Sequence, residues 1–273
     1  MESEGLKQFL KSVGDSVFLL NTICVGLDGV ADGTVTKSND LTITWEPRDP
    51  KATALQARAH AIKSALVFVE EALLDYIKFI SECENQDPVV KKIGGIDGAA
   101  EKVVQLSKSS TLSGMPAYWE PLVVLLVRWR NKVVHGSTSR LSQHYRNILI
   151  EQEDSIKANH AAISISDTLK HFDEGSITLK DFSTMIAVTI RFVRWVDQHL
   201  TPTITDLDSF ANLIKDKHLE VVYKNVIGVN GEKRQKRKFD YFINQNFKSI
   251  SESERNDLFE ARYLVKDRIL KSI

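Results

Sequence analysis

PLVVLLVRWRNKVVHG, residues 121–136, is the stretch whose reading decides the fold. Leu122 to Val127 are apolar without a break, and the apolar character carries on through Trp129, Val133 and Val134. Six apolar residues suit a buried strand as well as a helix, but the full length of this run favours the helix. A helix that is apolar all round sits at the centre of a protein, not on its surface. Pro121 fits a first turn, where a missing N–H costs nothing. Gly136 fits the position just past a helix end. The stretch therefore predicts a central helix in a mainly α protein.

The polar groups cluster at one end of that helix. Asn131 and His135 are four residues apart and share a face. Arg130 points about 140° from His135, but its long side chain can swing towards the imidazole. Histidine near a helix C-terminus suits acid–base work, and an arginine beside it can hold a phosphate. Cleavage of RNA without a metal needs these groups: the 2′-hydroxyl loses its proton, attacks phosphorus and displaces the 5′ oxygen. One helix supplies one such histidine, so two copies facing across a twofold axis would supply acid and base together. A histidine before a helix-ending glycine is also an ordinary capping feature. The same Arg-to-His separation recurs at Arg194–His199, and Arg128 is within loose reach of His135.

Arg130, Asn131 and His135, with Gly136 closing an apolar helix, resemble the signature of the HEPN family (higher eukaryotes and prokaryotes nucleotide-binding domains). The resemblance spans residues 50–200 and is specific only at the motif. It implies an up-and-down helical bundle and a metal-independent endoribonuclease acting on RNA, tRNA included, as a homodimer in toxin or anti-phage systems. An antitoxin or sensor subunit is a further implied partner. RAHAIKSALVFVEEALLDYI resembles the family's first helix, which carries an acidic residue near the site; Glu70 or Glu71 is the candidate, and a plain ion-paired acid is the alternative. Other members of the family keep the fold without activity, so a non-catalytic interaction or nucleotide-binding module stays open.

Composition sets bounds. Thirty-six Lys and Arg balance 36 Asp and Glu across 273 residues, so no global field draws nucleic acid. Cys24 and Cys83 are too few for a structural zinc site; no metal and no cofactor is expected. Two cysteines suit a reducing compartment, and the mixed-charge start MESEGLKQFLK lacks a signal pattern. No apolar run approaches bilayer length. The expectation is a cytoplasmic protein with no membrane partner.

Along the chain, residues 1–48 read as an accessory segment, with Val17–Val25 and Leu41–Trp45 forming a small β-ribbon. Residues 49–202 read as the bundle: Asp49-Pro50 caps a long helix to about Glu82, and Thr178 with Asp181 opens another that Pro202 stops. Arg140, His144 and Arg146 either extend a phosphate-binding surface beside His135 or make a charged exposed face. Residues 203–273 read as a small α+β appendage, with Leu219–Val229 as a strand and Asn230-Gly231 as a turn. There Lys233, Arg234, Lys236, Arg237 and Lys238 stand beside Phe239, Tyr241, Phe242 and Phe247. The cluster either grips RNA phosphates and stacks bases, or is a solvated turn before a helix whose aromatics face the core.

Overall fold

A computed structural model describes residues 2–83, 86–136, 139–201 and 206–270 of the chain. Among them every regular element is a helix. In chain order these are α1 (Glu4–Ala31), α2 (Pro50–Glu82), α3 (Pro88–Lys91), α4 (Ala99–Ser107), α5 (Trp119–His135), α6 (Gln143–Glu151), α7 (Glu153–Asn159), α8 (Ile165–Glu174) and α9 (Leu179–Leu200). Five more follow: α10 (Leu207–Asp216), α11 (Glu220–Ile227), α12 (Glu232–Asn246), α13 (Glu252–Glu260) and α14 (Arg262–Leu270).

Caps start the long helices. The Ser3 hydroxyl accepts from the Leu6 amide, the Asp49 carboxylate from Ala52, and Thr178 with Asp181 forms a reciprocal capping box. Four helices make an up-and-down bundle. Asp28 of α1 pairs with Arg58 of α2, and Phe9 of α1 packs 6.0 Å from Tyr76 of α2, so the two run antiparallel. The start of α5 meets the end of α9, Trp119 edge-on to Trp195 at 6.2 Å. The bundle's end is tied by buried Asp197. It accepts from the Ser3 amide at 3.0 Å, from the Ser3 hydroxyl, from Tyr76 at 3.2 Å and from Thr201 at 3.0 Å. Burial and this carboxylate together push the Tyr76 phenol well above its ordinary value.

The expected β-ribbon does not form. Val17–Val25 lies inside the 28-residue α1. Leu6, Phe9, Val13, Leu20 and Cys24 fall on one helical face and join the same core as α2, α5 and α9. Packing against α2 outweighs the strand preference of the β-branched residues. Leu41–Trp45 has no strand partner among the described residues and lies in the connection between α1 and α2. The segment read as an accessory therefore contributes a wall of the bundle. By length and composition α1 could also cross a membrane, with a window of mean hydropathy 1.4. That corrects the expectation drawn from unbroken apolar runs: the apolar residues of α1 are interspersed with polar ones, but no charge falls between Ser16 and Leu27.

The C-terminal appendage is helical throughout its described residues. Leu219–Val229 is largely α11, because Tyr223 and Ile227 share a face that enters a second apolar cluster with Phe210, Phe239, Phe242 and Phe259. Gly231, at φ +85°, is the N-cap of α12 rather than a hairpin turn. Pro202 lies outside the described residues.

Candidate active site

Pro121 to Val127 and Trp129 are all buried, which seats α5 in the core. The helix starts at Trp119, so Pro121 is its third residue. Gly136, at φ +57°, ends it in the left-handed region. The last turn is held by Lys132. Its ammonium donates to the carbonyls of Phe172 (2.7 Å) and Asp173 (3.3 Å) at the end of α8, and lies 4.3 Å over the Phe172 ring. Trp129 packs edge-on to the same ring at 5.5 Å. Polar side chains on this turn therefore stand on a fixed backbone.

Arg130 is the junction of the site. Its Nε lies 3.3 Å from Glu70 Oε2, close enough to pair charges although no directed hydrogen bond forms. Nη2 donates to Glu71 Oε1 at 3.1 Å. Nη1 lies 3.4 Å from His135 Nε2 and 3.5 Å from Asn131 Oδ1. When Nη1 donates to Nε2, the neutral ring carries its proton on Nδ1. Glu70 is 1% exposed. Burial pushes its carboxyl up, Arg130 pulls it back down, and Glu71 adds to the rise. His135 is exposed, Asn131 half-buried. The carboxylates of α2 thus hold the guanidinium, whose remaining edge meets the imidazole at the surface.

No hydrogen bond or ion pair joins the other candidates to Arg130 or His135 among the described residues. Arg128 pairs with Glu101 of α4. His144 stands beside Tyr145 and lines a small cleft with Met115, Glu120 and Pro121, at the end of α5 far from His135. Arg146 forks onto Asp173 and is occupied there. Arg140 is exposed. Lys233, Arg234, Arg237 and Lys238 are exposed on α12, whereas Lys236 turns inward; Phe239, Phe242 and Phe247 are core residues, not a stacking surface. Glu70, Glu71, Arg130, Asn131 and His135 are thus brought together. The anchoring role of Lys132 was not anticipated, and only its place in the last turn of α5 hinted at it.

No family model, curated protein or solved structure matches this chain.

Proposed function

We propose that the chain is a metal-independent endoribonuclease of HEPN type that works as a homodimer. The supporting observation is the Arg130–His135 contact at 3.4 Å, with the guanidinium held by Glu70 and Glu71. One His135 takes the proton from the ribose 2′-hydroxyl, and the new oxyanion attacks the adjacent phosphorus. Arg130 offsets charge on the phosphate, and Asn131 orients the substrate or the ring. The partner's His135 gives a proton to the departing 5′ oxygen, leaving a 2′,3′-cyclic phosphate. A place in toxin or anti-phage defence, with an antitoxin or sensor subunit, follows from the family resemblance.

The route requires a 2′-hydroxyl. An RNA oligonucleotide should be cut and the same sequence with 2′-deoxyribose throughout should stay intact; cleavage of both excludes this chemistry. A second reading has one observation in its favour. Two carboxylates already neutralise Arg130, so the cluster can serve simply to join α2 to α5 in a non-catalytic interaction or nucleotide-binding module.

A further inference from the structure

The basic cluster of the C-terminal unit divides cleanly once α12 is in place. Lys236 is half-buried on the flank of the helix: it pairs with Asp240 at 3.0 Å, donates to Asn256 at 2.8 Å and lies 4.9 Å over the Phe259 ring. Gln235, Phe239, Phe242 and Ile243 form the buried face of the helix. The outward face is different in kind. At 100° per residue, Lys233, Arg234, Arg237, Lys238 and Tyr241 fall within an arc of about 140°. All five are exposed, Tyr241 by 68%. Asn244 and Gln245 continue the arc one turn on and are exposed too. None of the four cations has an ion pair among the described residues.

We propose that this face of α12 binds single-stranded RNA independently of base sequence. Two cation pairs about 6 Å apart along the axis meet successive phosphates, and Tyr241 gives a ring on which a base stacks. Asn244 and Gln245 offer amides to phosphate and ribose oxygens. In a chain of net charge zero these cations are a local focus and not part of a general positive field. A lipid surface fits less well. An interfacial helix needs an apolar face to bury, and here Phe239, Phe242 and Ile243 are locked in the core, 0–2% exposed, with no aliphatic side chain on the basic arc. This binding does not depend on the cleavage reading.

The test is fluorescence anisotropy of a labelled 12-nucleotide oligouridine with the full-length protein, repeated over a salt series. Joint replacement of Lys233, Arg234, Arg237 and Lys238 by Gln should weaken binding at least tenfold. It should also reduce the slope of log K against log salt by about 2.8, from about 0.7 per phosphate contact. Tyr241→Ala should weaken binding roughly tenfold with the slope unchanged. Lys170→Gln, on α8, should change neither, and because the readout is binding and not cutting, a failure of the cleavage reading leaves this one standing. Circular dichroism confirms that each variant is folded. Absence of oligouridine binding by the wild type overturns the proposal, as does unchanged affinity in the folded quadruple variant. Binding to phosphatidylserine vesicles but not to oligouridine overturns it in favour of a lipid surface.

Discussion

Arg130→Ala removes the cation that faces a carboxylate only 1% exposed. Stripping one partner from a fully buried pair costs about 3–5 kcal/mol. Two features reduce that here. The Arg130 side chain is itself 18% exposed, and its second partner, Glu71, is 56% exposed and worth about 0.5 kcal/mol or less. Glu70, already pushed up by burial, can also take a proton rather than stay charged. The expected loss is about 2–3 kcal/mol at pH 8. It should shrink at pH 5, because the pairing exists only while Glu70 is ionised and protonation rises as pH falls. In a Glu70→Gln background the same change should cost about 1 kcal/mol, a coupling of roughly 1–2 kcal/mol. Urea unfolding followed by far-ultraviolet circular dichroism, on both singles and the double at both pH values, measures it. An Arg130→Ala cost that is the same in both backgrounds and at both pH values would refute the joining of α2 to α5 through this pair.

Leu125→Ala, at a fully buried position of α5, should cost about 3 kcal/mol in the same unfolding assay, and a loss below about 1 would contradict the central placement of that helix. Gly136→Ala should cost about 1 kcal/mol, since a Cβ is strained at φ +57°; a neutral or stabilising result would mean the helix does not end there. Burial first, and then Arg191, lowers the ring basicity of His160, whose Nε2 lies 3.3 Å from the Tyr118 hydroxyl. The unfolded ring takes its proton near 6.5 while the folded one resists, so stability present above that value is lost as pH falls below it. Melting temperature measured from pH 8 to pH 5 should fall less steeply in His160→Gln than in wild type; parallel curves would show that His160 does not contribute.

What the sequence made legible follows from where each signal resides. Arg130, Asn131 and His135 sit within six residues of one helix, so their mutual geometry follows from the helical repeat. The caps at Asp49 and Thr178 are local chemistry, and the helices they open are where they were expected. Glu70 and Glu71 were legible as a pair; the choice between them dissolves, because Arg130 reaches both. Strand and helix could not be told apart at Val17–Val25 and Leu219–Val229. Short apolar, β-branched runs satisfy either period, and a distant partner surface decides. The α12 cluster was ambiguous for a related reason: the register of Gln235, Phe239 and Phe242 against the core determines which cations face out. Where Arg128, His144 and Arg146 sit could not be read from spacing: carboxylates on other helices engage Arg128 and Arg146, and His144 lines a cleft with the first turn of α5. Glu101 lies in α4 and Asp173 in α8, whereas Tyr145 follows His144 in the same helix.

The most direct test of the cleavage reading is RNA cleavage by purified wild type and His135→Ala in EDTA, on a panel including whole tRNA, with the product ends analysed. The proposed chemistry predicts cutting by the wild type, 2′,3′-cyclic phosphate ends, and a loss of at least 100-fold in the variant, the lower range for a general acid–base group. A folded, dimeric wild type that cuts nothing, or a His135→Ala variant that cuts as fast as wild type, would contradict it.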